Sequence, residues 1–475
     1  MKIKIKRNKT LKDKIYNKIV EYRKTLITTI IFMIPIIFVL YILNVHNYIF
    51  PKTLGNSIIF RLDIYYRYFA LIFAFMHFYE LYYTKEKPSL SNCFIYLFLG
   101  MTIVSTMFSY NQNIALYGYP NRYEGMFTLL FYGFLYLNCQ KVKDIDYVKK
   151  MTKIIIFYTF IQLFTVILQL TGLFSKVIYM YKTGDAIGLT ENCNFLGSLM
   201  CMISMITSGA FILKLEEKNY FYLIGFIGSY ITLLLANSTG PFISFIGTFT
   251  LFIIYTLIKK SLNIKNLIIV ILLTIILYPI VLNKNDEITP EIKSHIMYFV
   301  DKFQNSSDEN NKGDESNLTT NQLGHGRVKI WKNVWCLVED SPLIGYGPDN
   351  LGVVYKEFVV DDYKIADKAH NIYLHILVSS GIFSLVGYLG FVILNIKYAL
   401  KSKNSFIICL SFGIIAYSIQ GIFNINVNEV TPYFYIILGF LSCLIRENSS
   451  KTNNNQHLTV KWLIHSNKYD ILKLY

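Results

Sequence analysis

Charged residues are scarce in this 475-residue chain: 16% are Asp, Glu, Lys or Arg, against about 25% in an ordinary soluble domain. Hydrophobic residues reach 53%. That balance excludes a disordered chain, a collagen repeat and a small disulfide-stapled secreted module. The seven cysteines are scattered, and none forms a CxxC or Cys/His spacing. Neither a zinc site nor a disulfide framework is therefore expected, and most of these thiols lie in apolar runs as small hydrophobes. P-loop, GxGxxG and HExxH motifs are missing, which argues against ATP-driven chemistry and an NAD cofactor. No cofactor and no metal are expected. There is also no internal repeat of the kind seen in inverted-repeat transporters.

Long apolar runs take the place of these features. Many reach the length that spans a bilayer, roughly 18–20 residues. The runs predict twelve helical spans, near 26–43, 64–83, 93–109, 124–139, 152–171, 193–213, 220–237, 241–258, 267–282, 372–396, 405–424 and 431–445. The second opens on charge (Arg61, Asp63, Arg67) and the fourth is short. The expected fold class is an all-α polytopic membrane protein with one large extracytoplasmic loop containing short helices. Its parts are a basic cytoplasmic tail (1–25), a membrane domain of about nine spans (26–282), the loop (283–370), about three more spans (371–445) and a second cytoplasmic tail (446–475).

Lys and Arg outnumber Asp and Glu, 46 to 30, and their positions explain the excess. Under this topology about 30 basic residues lie on the cytoplasmic side and about 6 in short outer connections, as the positive-inside rule requires. The segments Lys141–Lys153, Lys259–Lys265 and Lys397–Lys403 are basic, whereas Asn237–Pro241 and Asn424–Pro432 carry no Lys or Arg. The N-terminal tail lacks an alanine-type cleavage site and reads as a retained cytoplasmic end. Both termini are expected in the cytoplasm, the protein in the cell membrane, and no nucleic acid among its partners.

The long loop contains a polar stretch, Asn305–Gln322, that reads as disordered. Before it, Glu291–Phe303 can form a short amphipathic helix. After it, Trp331, Val334, Trp335 and Val338 recur at i, i+3, i+4 and i+7, one helical stripe ended by Pro342 and Gly345-Tyr-Gly347-Pro348. Such a stripe is more often packing than ligand contact, but it fixes Arg327 in the first turn beside Gly324 and Gly326. There a guanidinium and a helix N-terminus can converge on one anion.

His370 stands where the loop re-enters the membrane. A lone histidine is more often structural than catalytic. At a partly solvated interface, however, it titrates near neutral pH and can take a proton from a hydroxyl, with Asn371 and Tyr373 placed to orient it. His375 falls on another helix face and reads as a bystander. Arginine is rare, seven residues against 39 lysines. Arg67, Arg122 and Arg327 are the ones expected at the outer boundary, where ionisable groups are functional candidates. For Arg122 a simple pair with Glu124 is an equal alternative.

Together these pieces resemble the O-antigen ligase and Wzy-type polymerase family of bacterial membrane glycosyltransferases. Gly326-Arg327-(three residues)-Trp331 followed by Pro342-Leu-Ile-Gly345-Tyr-Gly347-Pro-Asp-Asn350 looks like its outer-loop signature. His370-Asn371-(one)-Tyr373-Leu374 with Ser380-Gly381-Ile382 looks like its second. Gly188-Leu-Thr-Glu-Asn192-Cys-Asn194 and Arg122-Tyr-Glu124-Gly125 are weaker echoes. Ligase members often carry an arginine in a Ser-Arg-Gly segment of a middle span. Here that stretch is Asn237-Ser238-Thr239-Gly240, and Arg122 is the candidate to supply the charge.

The resemblance implies a metal-independent enzyme that uses undecaprenyl-diphosphate-linked glycans. Arg327 and Arg122 would then hold the diphosphate and His370 would activate the acceptor hydroxyl, supported by Asn371, Tyr373, Glu124 and Trp331. The expected partners are a lipid-linked oligosaccharide donor, a glycan or lipid acceptor, the bilayer and polysaccharide-assembly proteins. Polymerisation of repeat units is the leading reading, since a composition rich in Ile, Lys, Asn and Tyr suggests a single-membrane bacterium without a lipopolysaccharide core. Ligation of a finished glycan is the alternative. A polysaccharide or lipid transporter comes third, because the suspicious charges gather at the boundary rather than at mid-membrane.

Overall fold

The computed structural model describes residues 10–44, 61–172, 186–282, 288–290, 293, 327–359 and 366–448. The stretches read from sequence as a disordered insert (305–322), an amphipathic helix (291–303) and the terminal tail segments before 10 and after 448 lie outside these residues, apart from Lys293. So do Gly324 and Gly326.

Among the described residues the chain is helical throughout, with no strand. The helices are α1 (Leu11–Asn44), α2 (Leu62–Thr84), α3 (Leu90–Met107), the short α4 (Gln112–Tyr117), α5 (Met126–Cys139), α6 (Ile145–Thr171), α7 (Cys193–Ile212), α8 (Tyr220–Leu235), α9 (Thr239–Ile258) and α10 (Ile264–Leu282). Then follow α11 (Arg327–Asp340), α12 (Leu351–Phe358), α13 (Ile372–Ala399), α14 (Ser405–Gln420) and a last helix α15 over 431–448. Seven of them are long and apolar enough to cross a membrane: α1 from Leu11 to Leu40, α3, α6, α7, α9, α10 and α13. α5, α8 and α14 are apolar but shorter.

Helices start earlier than the apolar runs alone suggest. α1 begins at Leu11 and α6 at Ile145, because the polar flanks continue the helix and Asp144 caps it by accepting from the Tyr147 amide. The same device recurs at Ser89, Asn192, Asn371 and Asn404, each accepting from an amide in its helix's first turn. α7 is buried along its length and forms the centre of the bundle, whereas α10 lies on its rim with only Val270 and Leu282 buried.

The connections gather at two ends. At one, the Arg23 guanidinium of α1 pairs with Glu80 of α2, and donates to the Asn138 side chain and the Lys141 carbonyl. Lys141 pairs with Glu86, and Lys24 with Asp144. The other end carries the segments 108–125, 186–194, 236–240, 341–359, 366–371 and 421–430, tied to one another by the hydrogen bonds described next.

Candidate functional site

α13 is broken at Gly381, which has φ 77° and ψ 177°. A helix interrupted in an apolar setting leaves carbonyls and amides that must find partners. The segment Pro342–Gly347 supplies them. The Tyr346 amide donates to the Val378 carbonyl (3.0 Å), the Gly347 amide to Ser379 (2.8 Å), and the Ile382 amide donates back to Pro342 (2.9 Å). The Ser105 hydroxyl of α3 also donates to the Ser379 carbonyl at 2.7 Å. Two stretches that look unrelated in sequence are thus one joint.

The next residues of the loop receive the connection between α3 and α5. Asn350 makes a two-way bond with Asn111, accepting from its amide (3.1 Å) and donating to its carbonyl (3.2 Å). Asp349 accepts on Oδ2 from the Tyr119 amide (2.7 Å) and the Glu124 amide (3.1 Å). Its other oxygen, Oδ1, lies 2.7 Å from Lys368 Nζ. Lys368 is 1% exposed and also pairs with Glu124 Oε2 at 2.8 Å. Burial alone would lower this ammonium, but Asp349 and Glu124 outweigh it and hold its pKa above the ordinary lysine value.

His370 follows two residues later. Its backbone is left-handed (φ 48°), as are Asn121, Tyr123 and Asp349. Such conformations cost non-glycine residues energy and collect at functional sites. The Trp331 indole N–H of α11 donates to the Ala369 carbonyl at 3.0 Å. The Asn371 side chain accepts from the Tyr373 and Leu374 amides (3.0 Å each), starting α13. The Ile372 amide donates to the Gly421 carbonyl (2.8 Å), and the Tyr373 hydroxyl to Ser418 (2.6 Å). These bonds hold the backbone on both sides of His370. Burial, and next the nearby Arg327 charge, push the imidazole pKa down to about 4. Asp367 opposes the shift, while Arg122 and Lys368 reinforce it. At neutral pH the ring is uncharged and able to accept a proton.

Arg122 does not pair with its sequence neighbour Glu124. Its Nε donates to Asp367 at 2.5 Å, and Glu124 turns to Lys368. Burial lowers the Asp367–Arg122 pair's ease of ionisation, yet their contact prevails and keeps Arg122 charged and Asp367 below the usual carboxylate range. The Arg122 carbonyl accepts from the Asn428 side chain (3.0 Å). Beside it stand Glu191 and Glu429, linked by the Glu191 amide to Glu429 Oε1 at 3.4 Å. Burial and then Glu191 push the Glu429 carboxyl up to about 8. Arg67 belongs elsewhere: it bonds Asp63 (2.5 Å) and covers the Tyr117 ring.

The Trp stripe on α11 divides. Val334, Leu337 and Val338 are buried against Leu351, Val354 and Tyr355 of α12, whereas Trp335 is exposed and donates to Glu339 (2.8 Å). Sequence reasoning missed Lys368, Asp349 and Asp367, and it set aside His375, whose Nε2 lies 3.2 Å from Lys368 Nζ. The available signal was a Lys-bearing Asp367-Lys368 pair directly before His370, matched by acids in two other boundary segments.

With this geometry in place, the chain can be compared with known proteins. Residues 224–389 match the O-antigen ligase family model. The match runs from within α8 to within α13, just past the break at Gly381. It therefore contains Arg327, Trp331, Asp349, Lys368 and His370, and leaves Arg122, Glu124, Glu191 and Glu429 outside. This family comprises membrane proteins of glycan transfer, ligases and polymerases alike. The apolar helices among the described residues, together with this match to a membrane-protein family, make the chain a multi-pass membrane protein. No curated protein matches it in sequence. In the stretch where ligases carry an arginine, Ser238 donates instead to the Asn194 side chain at 2.5 Å.

Proposed function

We propose that the protein transfers a glycan from an undecaprenyl-diphosphate carrier to a sugar hydroxyl, polymerising repeat units of a cell-surface polysaccharide at the outer leaflet. The observation that carries this reading is His370, held at the start of α13 by the Trp331 and Asn371 bonds, three residues from the Asp367 that pairs with Arg122 and within the same family match as Arg327. The acceptor O–H gives its proton to the imidazole as its oxygen bonds to the anomeric carbon. The bond from that carbon to the phosphate oxygen breaks, and its electron pair leaves with the diphosphate. Arg327 and Arg122 neutralise the charge that develops there, which guanidinium groups do bidentately. On this reading no metal is needed, because the arginines supply the positive charge. Glu124, Asn371, Tyr373 and Trp331 hold the segments that carry these groups.

The lysine-rich end of the bundle supports an orientation with that end and both termini in the cytoplasm, and twelve spans in all. The lipid-linked donor, the glycan acceptor and polysaccharide-assembly proteins are the partners this orientation implies.

Ligation of a finished glycan to a lipid, wall polymer or protein is the second reading, favoured by the family model's own description. The test is polysaccharide length in a deletion strain complemented with wild type or His370→Ala. Single lipid-linked repeat units that only wild type extends indicate a polymerase. Long lipid-linked chains that fail to reach an acceptor indicate a ligase. An unchanged glycan profile removes both readings.

A further inference from the structure

Lys368 donates hydrogen bonds to Glu124 Oε2 at 2.8 Å and His375 Nε2 at 3.2 Å, and its ammonium stands 2.7 Å from Asp349 Oδ1 as an ion pair. These partners come from three different parts of the chain: the connection before α5, the loop after α11, and α13 itself. Glu124 is 4% exposed and Asp349 1%. Lys368 therefore joins those parts at one point, in the dry interior, two residues from His370 and one from Asp367.

Joining parts of a fold does not by itself call for a charge. A buried ion cluster is costly, and apolar replacements of similar volume are often as stable or more so. What an ammonium held by two hydrogen bonds and an ion pair supplies beyond adhesion is direction, since each partner holds it from a different side. The segment 367–370 needs direction. It has to present Asp367 to Arg122 on one side, hold His370 in a left-handed conformation on the other, and keep the Ala369 carbonyl on the Trp331 indole.

We propose that Lys368 is the positioning residue of the transfer site, its two hydrogen bonds and its ion pair with Asp349 fixing the backbone that aims His370. This role rests on the glycan-transfer reading above. Lys368 itself touches no substrate. It acts through the geometry of His370, whose charged surroundings are Arg327, Arg122 and Lys368 against the opposing Asp367, with His375 the remaining titratable neighbour.

The experiment uses the full chain in lipid nanodiscs, with lipid-linked repeat units extracted from a deletion strain as donor. Lys368→Met leaves Glu124 and Asp349 without their cation and can fail to fold. Lys368→Met/Glu124→Gln removes one charge of each sign and keeps the formal charge of the cluster at −1, so it is the variant that reports on function. For that variant the expected result is a folded protein whose kcat falls by about 100-fold, the scale of a 1 Å misplacement, while KM for the donor is little changed. A purely structural lysine would leave kcat per folded molecule and the donor KM both unchanged. A double variant with wild-type kcat overturns the proposal while the functional reading stands. A wild-type protein inert toward the donor overturns both.

Discussion

A methyl group on Gly381 would stand 1.9 Å from the carbonyl oxygen of Leu343. Backbone from the loop therefore sits inside the broken helix, and no side chain can share the space. At φ 77° and ψ 177° the position is essentially restricted to glycine, and the backbone cost of any other residue is about 1–3 kcal/mol before the clash is counted. Gly381→Ala is expected to lower thermal stability in detergent by more than that and to abolish transfer. A variant as stable as wild type would mean that α13 has no obligatory break.

The pH dependence follows from His370. Its pKa lies near 4, depressed by burial and then by Arg327, and a base must be unprotonated to act. For the free enzyme kcat/KM should stay level down to about pH 5 and fall as pH drops through about 4. Arg327→Gln removes a cation that disfavours the imidazolium, so the limb shifts upward. A bound diphosphate neutralises the same charge, so the limb of kcat lies above that of kcat/KM. The folded pKa is below the unfolded value of 6.5, so the folded state binds fewer protons between the two. Stability is accordingly full above 6.5 and declines as pH falls toward 4. Superimposable profiles for wild type and Arg327→Gln would remove the charge coupling.

Arg122 and Asp367 can be separated by comparing two variants. Loss of a hydrogen bond to a charged group costs about 1.5–3 kcal/mol, so Arg122→Gln should raise the donor KM by roughly 10- to 100-fold. Asp367→Asn leaves the guanidinium charged and relieved of its carboxylate partner, and its donor KM should not rise. Equal damage from both changes would assign the pair to the fold rather than to the diphosphate.

Two native cysteines report the orientation. Cys336 on α11 and Cys93 at the start of α3 are both exposed, and they belong to opposite ends of the bundle. In single-cysteine versions a membrane-impermeant maleimide should label Cys336 in intact cells, and Cys93 only after permeabilisation. The reverse pattern would put His370 in the cytoplasm and exclude an outer-leaflet donor.

Much of this protein was legible before any coordinates. Apolar runs bounded by charge are a local property of the chain, and in lipid a backbone that cannot bond to water has to close its own hydrogen bonds as helix. The helical class and the central stretches of the helices follow from that. The ligase resemblance was legible too, since Gly345-Tyr-Gly347-Pro348 and Ser380-Gly381 are contiguous in sequence.

The partners were another matter. Arg122 with Asp367, Glu124 with Lys368, and the insertion of Pro342–Gly347 into the break of α13 join residues that are 245, 244 and some 35 positions apart. Spacing carries no information about such pairs. A buried ammonium takes whichever acceptors the packed helices bring within 3 Å or so, and an orphaned carbonyl takes whichever amide reaches it. Composition and periodicity thus dictated what kind of molecule this is and which signatures it carries. Which acid answers which cation around His370 was settled only when the helices packed and brought these groups together in a low-polarity interior, where an unpaired charge is costly.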